Sequence, residues 1–278
     1  MARFRSDAGK AAYRKAYDRM LGRWPAPCRT RIVSGSLADT HVIEAGPANA
    51  PPLILLPAVS VGAVAFLPLV AHLTGRRIIA ADLPGDAGFT VAHRRMRDIA
   101  DMADWLDELI GNLGLDQPAL AGHSYGGWIA LGAAVLRPRR LGPVTVIAPA
   151  SGLVPLHWYM ALFLRVAEYL PFRPSAASVL RVQAAPGWQP DPDFVALMEA
   201  MTRHLRTEVP FPVPFDAAFL ARIAKPLQVV LAGGEVLYDP ARAASRARAI
   251  PGAKLTVMEG AGHLLPMERP AEVAGMIL

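Results

Sequence analysis

Ala119-Leu120-Ala121-Gly122-His123-Ser124-Tyr125-Gly126-Gly127-Trp128 is the stretch from which the fold is read. Three apolar residues of strand length lead into Gly122-His123-Ser124-Tyr125-Gly126-Gly127, and an apolar, helix-like run from Trp128 to Leu136 follows. The centre has the form G-x-S-x-G. A strand that turns sharply into a helix forces the residue at the bend into a strained backbone. Glycines on either side remove the Cβ atoms that would collide across the bend. Ser124 then stands above the sheet edge at a helix N-terminus, where free N–H groups favour a developing negative charge. The pattern alone recurs by chance. A strand before it and a helix after it give it weight.

Outward from this bend, strand-like and helix-like segments alternate. Thr40–Ala45 alternates polar and apolar residues, and Leu53–Leu56 and Ile78–Ala81 are short apolar runs. Arg97–Leu113 carries Ile99, Met102, Ala103, Leu106, Leu109, Ile110 and Leu113 at helical spacing. Beyond the bend come strands at Pro143–Ala148, Pro226–Ala232 and Ala253–Met258, with a helix at Ala241–Ala249. Such alternation predicts an α/β fold, a mostly parallel central sheet flanked by helices on both faces. Between Gly152 and about Pro214 the rhythm stops. Helix-like runs at Leu156–Leu170 and Asp193–Arg206 are separated by prolines, with no clear β-type segment, which reads as a helical insertion. The expected organisation is an amphipathic helical segment over residues 1–30, a core over 31–151 and 215–278, and the insertion over 152–214.

Composition narrows the class. A chain of 278 residues with 53% hydrophobic and 19% charged residues fits one large domain or one domain with an insertion, and is too apolar for disorder. The single cysteine, Cys28, excludes an intramolecular disulfide framework and a Cys-based metal cluster. The net charge of +6 is uneven: the first 31 residues hold nine basic groups and two acids, so the body is close to neutral. A basic leading segment on a neutral body does not make a nucleic-acid-binding domain. No Asp, Glu, Lys or Arg occurs between Glu44 and Arg76, but Pro51, Pro52, Pro57 and Pro68 interrupt the stretch, so it reads as buried strand, turn and short helix. No apolar core of a signal peptide precedes Pro25, and a cytoplasmic protein is expected. Tyr13, Tyr17, Met20 or Leu21, and Trp24 share one helical face. Packing of that face on the body is preferred to a basic amphipathic anchor on an anionic membrane.

A serine hydroxyl is a weak nucleophile near neutral pH and needs a base. Of the seven histidines, His123 adjoins Ser124, so its side chain leaves the bend in another direction and is read as structural. His263, in Gly260-Ala261-Gly262-His263-Leu264-Leu265-Pro266, follows the last strand, in a glycine-bearing loop suited to holding a side chain over the sheet edge. The base needs an orienting acid. Two candidates follow the strand Pro226–Ala232: Glu235, which is favoured, and Asp239, which stands beside Pro240 and is equally suited to capping the helix at Ala241.

Ser124, an acid and His263, in that order on an alternating β/α pattern, resemble the α/β-hydrolase fold family over nearly the whole chain. Ser124 matches the family's nucleophile elbow and Ala261-Gly262-His263 its histidine loop. Asp82-Leu83-Pro84-Gly85-Asp86-Ala87-Gly88 resembles its D-x-P-G-x-G turn, and Leu55-Leu56-Pro57-Ala58-Val59 its oxyanion loop. Two positions depart from the pattern: Pro57-Ala58 stands where His-Gly is usual, and Glu235 where Asp is commoner. The resemblance implies backbone N–H groups of Val59 and Tyr125 as oxyanion donors, an acyl-enzyme on Ser124, no metal or organic cofactor, and a helical cap over 152–214. Serine at the elbow, where relatives that open epoxides or remove halide carry Asp, makes acyl transfer the natural reaction. Trp158, Tyr159, Met160, Leu162, Phe163, Trp188, Phe194, Met198, Met201 and Phe211 in the insertion suggest an apolar pocket for a small or medium acyl or alcohol group. The expected activity is that of a serine hydrolase, a carboxylesterase acting on a small-molecule ester. Acyl transfer to another acceptor or cofactor-free perhydrolysis would use the same residues. A receptor that binds a small molecule without turnover is the alternative from another class.

Overall fold

Alternation along a single strand decides where the core lies. In the computed structural model, which describes residues 3–25, 27–166 and 175–278, Leu53 and Leu55 enter one apolar layer, while Ile54 and Leu56 enter another. Both faces of the sheet are therefore covered, as a parallel sheet requires. The strands are β1 (Arg3–Phe4), β2 (Cys28–Val33), β3 (Ala38–Ala45), β4 (Pro52–Leu56), β5 (Arg77–Ala81), β6 (Val91–Ala92), β7 (Ala119–His123), β8 (Val144–Ile147), β9 (Leu205–Arg206), β10 (Leu227–Ala232) and β11 (Lys254–Met258). The α-helices are α1 (Asp7–Leu21), α2 (Leu67–Val70), α3 (Ile99–Asn112), α4 (Tyr125–Leu136), α5 (Trp158–Val166), α6 (Ala176–Gln183), α7 (Pro192–His204), α8 (Ala217–Leu220), α9 (Pro240–Arg248), α10 (Leu265–Glu268) and α11 (Pro270–Ala274).

The main sheet runs β11-β10-β8-β7-β4-β5-β3-β2, with β6 paired to β3. From β11 to β5 every pairing is parallel; β3 joins β5, and β2 joins β3, antiparallel. Leu56 of β4 lies opposite Gly122, and His123 opposite Ile147 of β8. Ser124 therefore leaves the carboxyl end of a strand in the middle of the sheet, the edge at which α/β proteins place their sites.

Three parts of the molecule differ from the sequence expectation. Residues 28–30, expected in the leading helical segment, open β2. The polarity of Cys28-Arg29-Thr30-Arg31 hid a strand, because Arg29 and Arg31 reach across to the buried Glu44 of β3 (2.6 and 3.1 Å). The helical region contains α6 and the two-residue strand β9, neither expected; β9 pairs with β1 at the start of the chain. The helix expected over Leu156–Leu170 runs from Trp158 to Val166, and residues 167–174, with Pro171 and Pro174, lie outside the described residues.

The leading helix packs. Ser6 caps it by accepting the Gly9 N–H (3.0 Å), and Tyr13, Tyr17 and Met20 are buried along one face. Trp24, just past its end, donates its indole N–H to the Val64 carbonyl (3.2 Å). Arg23 on the other side pairs with Asp191 (2.7 Å) and Asp193 (3.1 Å) at the start of α7. Among the described residues no helix is long and apolar enough to cross a membrane.

Candidate active site

Ser124 sits at φ 53°, ψ −112°, a backbone region that residues bearing a Cβ avoid. Hydrogen bonds hold it there. Its N–H donates to the Ile147 carbonyl (2.9 Å), and its carbonyl accepts the N–H groups of Trp128 (3.1 Å) and Ala150 (2.9 Å). The flanking glycines are obligatory in space. A Cβ on Gly122 would stand 2.2 Å from the Gly126 carbonyl oxygen, and one on Gly126 2.1 Å from that of Leu56. The bend therefore has the conformation read from G-x-S-x-G.

His263 arrives from the loop between β11 and α10. Its Nε2 lies 2.9 Å from Ser124 Oγ, and its Nδ1 lies 2.7 Å from Glu235 Oε2. All three residues are buried. Glu235 is an acceptor at Nδ1, so that nitrogen carries the proton and Nε2 presents its lone pair to the serine hydroxyl. The other Glu235 oxygen accepts the N–H groups of Val236 and Leu237, both at 2.9 Å. Burial pushes this carboxyl up, but the charge and hydrogen bond of His263, with those two N–H groups, outweigh it and hold it below the usual carboxylate range. Asp239 lies elsewhere: it caps α9 by accepting the Arg242 N–H (3.0 Å).

His123 turns away from the serine and donates its Nε2–H to the His263 carbonyl (2.9 Å). Burial, helped by the charge of His263, lowers its pKa to about 3, so the ring is neutral. The histidine loop has a second brace that the sequence did not reveal. Glu268, reaching back from α10, accepts the N–H groups of Gly262 (2.8 Å), Leu264 (3.0 Å) and Ala185 (2.9 Å). The His263 N–H itself donates to the Gln183 carbonyl (2.7 Å) at the end of α6, and a Cβ on Gly262 would meet that same oxygen at 2.5 Å. The end of α6 is thus seated on the histidine loop. A glutamate a few residues into a helix and reaching back to its start is a capping signal that could have drawn notice to Glu268. The Gln183 contact is main-chain and leaves no trace in residue type.

Val59 and Tyr125 occupy the two sides of the serine expected of them in sequence: the turn after β4 and the first residue of α4. Among the described residues neither N–H has a protein acceptor. The Gly126 N–H donates to the Pro57 carbonyl (3.0 Å), joining the two loops. Ala58, where glycine was the family's usual residue, needs no glycine here, because the left-handed positions of the loop fall on Ser60 and Gly62. Beyond the elbow, Tyr125 Oη donates to the Pro210 carbonyl (2.8 Å) and the Trp128 indole N–H to that of Val213 (2.9 Å). Helix α4 therefore grips the segment that returns from the helical region to the sheet.

The apolar residues of that region divide. Phe194 and Met201 are buried packing residues beside Trp188 and Met198, and Met160 and Phe211 pack on the opposite layer. Trp158, 77% exposed, Tyr159 and Leu162 face outward. The Phe163 side chain lies outside the described residues. No group of three or more His, Cys, Asp or Glu among the described residues is placed to hold a metal ion.

A family model described as alpha/beta hydrolase family matches residues 53–276. Carboxylesterase YbfK of Bacillus subtilis (strain 168) is 30% identical over 273 residues, covering 95% of this chain and 91% of its own. The uncharacterized carboxylesterase nap of the same organism is 28% identical, covering 94% of this chain and 89% of its own. The crystal structure of naproxen esterase (carboxylesterase NP) from Bacillus subtilis superposes with a TM-score of 0.89 at 27% identity, covering 97% of this chain and 96% of that one.

Proposed function

The chain belongs to the alpha/beta hydrolase family, and from that premise we propose that it hydrolyses carboxylic esters through an acyl-enzyme on Ser124. The observation that carries this reading is the unbroken line from Ser124 Oγ to His263 Nε2 (2.9 Å) and from His263 Nδ1 to Glu235 (2.7 Å) at a strained elbow. Esterase activity in relatives that match over nearly their whole length supports it.

In this mechanism Ser124 Oγ attacks the ester carbonyl as His263 Nε2 takes its proton. Glu235 holds the imidazole in the required tautomer and stabilises the imidazolium. The tetrahedral oxyanion rests on the N–H groups of Val59 and Tyr125, each worth about 3–4 kcal/mol in related chemistry. The imidazolium protonates the departing alcohol. Water, deprotonated by His263, then releases the acid and restores the serine. The substrate is a small-to-medium apolar ester.

A p-nitrophenyl ester series and a fluorophosphonate probe test the reading on the intact chain. Turnover of acetyl to octanoyl esters is expected, with covalent labelling lost in Ser124→Ala. Absence of both turnover and labelling of Ser124 across the pH range would refute it.

A further inference from the structure

The turn between β5 and β6 supplies two buried carboxylates, and they grip one loop. Asp82 accepts the Ala63 N–H at 2.6 Å, and Asp86 accepts the Ser60 N–H at 2.7 Å. Asp82 is well provided for, since His41 Nδ1 (2.8 Å) and the Phe89 N–H (2.9 Å) also reach it. Asp86 is not. It is 1% exposed, and among the described residues it has no cationic partner. Its other hydrogen-bond donor is the Thr207 hydroxyl, more weakly at 3.3 Å. Burying a carboxylate without a counter-charge is costly, so a neutral side chain would make a more stable turn.

The loop explains the acid. Ser60 has φ 72°, a left-handed conformation that costs a residue with a Cβ about 1–2 kcal/mol. A charge-assisted hydrogen bond to its N–H offsets that cost. The Ser60 N–H belongs to the peptide whose carbonyl is that of Val59. Fixing this plane fixes one side of Val59, and the bond from Gly126 N–H to the Pro57 carbonyl (3.0 Å) restrains the chain two residues earlier. We infer that Asp86 is a positioning residue of the oxyanion loop: by holding the Ser60 N–H it aims the Val59 N–H at the reacting carbonyl. This rests on the esterase reading above for the role of Val59. Thr207 lies on the segment returning from the helical region, beside Glu208, whose N–H donates to the Gly85 carbonyl (2.7 Å). The oxyanion loop is thereby tied, through Asp86, to the segment that also seats the Tyr125 hydroxyl.

The titratable groups facing Asp86 are Asp82 in its own turn, Tyr13 of α1 and Tyr125 of α4, with Glu208 on the return segment next to Thr207. Burial raises the Asp86 carboxyl to about 7 against the hydrogen bonds it accepts, with a further push from Asp82. The loop contact is therefore expected to change with pH near neutrality.

The test compares Asp86→Ala, Asp86→Asn and Thr207→Val in the full chain, using p-nitrophenyl butyrate and a trifluoromethyl ketone that forms a serine hemiketal. Asp86→Ala is expected to lower kcat about tenfold or more, with KM within about twofold, and to weaken the ketone by a similar factor. Asp86→Asn, which keeps an acceptor oxygen for Ser60, recovers most of both losses, and Thr207→Val loses about two- to threefold. In proton–nitrogen correlation spectra the Ser60 amide proton lies downfield and moves with pH in the wild type, and that movement is absent from Asp86→Asn. A folded Asp86→Ala protein with kcat and ketone affinity within about twofold of wild type overturns the inference. So does equal loss of kcat in the Ala and Asn variants, or a Ser60 amide indifferent to Asp86→Asn. If Asp86→Ala does not fold, the other two variants decide by the same readings. A wild type without turnover or fluorophosphonate labelling refutes the esterase reading instead, and the Ser60 amide still reports whether Asp86 holds the loop.

Discussion

At Gly126 a single methyl group is expected to destabilise the fold severely and to displace the site. Its Cβ would stand 2.1 Å from the Leu56 carbonyl, which is itself backbone in a central strand and has no room to withdraw. Gly126→Ala should cost about 3 kcal/mol or more, in the range of severe core overpacking. A urea midpoint within error of the wild type would contradict this. The two acids after β10 separate on similarly local grounds. Glu235→Gln leaves the imidazole without its anion and favours the wrong tautomer, so kcat should fall about 10³–10⁴-fold while KM changes little. Asp239→Ala should leave kcat unchanged and cost about 1 kcal/mol through loss of the α9 cap, and Asp239→Asn, an equally good cap, should cost almost nothing. A strong drop in kcat for Asp239→Asn would show that Asp239 is the orienting acid. The serine was legible because its strain is written in the glycines around it. Glu235 was favoured over Asp239 in the sequence but not separated from it outright, because both follow the same strand and only the path of the chain decides which carboxylate meets the ring. Asp86 was illegible as a brace, since it acts on a main-chain N–H group that carries no residue signature, whereas Glu268 left only the trace of a helix-capping glutamate.

Elements were readable where burial was two-sided or strictly periodic. The apolar runs of β4, β5 and β10 and the helical spacing of α3 fix their own types, because each is buried on the faces its pattern dictates. The edge strand β2 failed that test. Four of its six residues are exposed, and its arginines look like a solvated face until Glu44 is placed beneath them. For α1 the aromatic stripe was visible, but its target was not. Tyr17 packs edge-on against Phe89 (4.9 Å between centroids) and His41 (5.8 Å), and its hydroxyl reaches Asp82 (3.3 Å). The helix therefore buttresses the turn that grips the loop after β4. Tyr17→Ala is expected to destabilise the chain by about 3–5 kcal/mol, as for other large buried aromatics. Tyr17→Phe should cost about 1 kcal/mol, because Asp82 retains other donors. Urea unfolding of the two variants checks the ordering, and equal losses would show that the hydroxyl rather than the ring carries the contact.

Over the whole molecule, two buried groups pull the pH dependence of stability in opposite directions. His123 is held neutral, with its pKa lowered to about 3 by burial and by His263. Between the ordinary histidine value and about 3, the unfolded chain takes up a proton that the native ring refuses, so this contribution to stability is lost as pH falls. Asp86 is raised to about 7 by burial. Its contribution is fully present below the ordinary aspartate value and is lost as pH rises through about 7, because the unfolded chain gives up a proton that the native carboxyl retains. Across the weakly acidic range the two slopes oppose each other and largely cancel. Asp86→Asn removes only the second. The stability of this variant relative to wild type should therefore increase with pH from about 4 to about 7, by at most about 1.4 kcal/mol per unit, and level off above that. Urea midpoints of both proteins at half-unit intervals measure the difference directly, free of every other titrating group. A difference that stays constant with pH would mean that Asp86 is ionised throughout, and that the carboxylate holding Ser60 carries its charge without penalty.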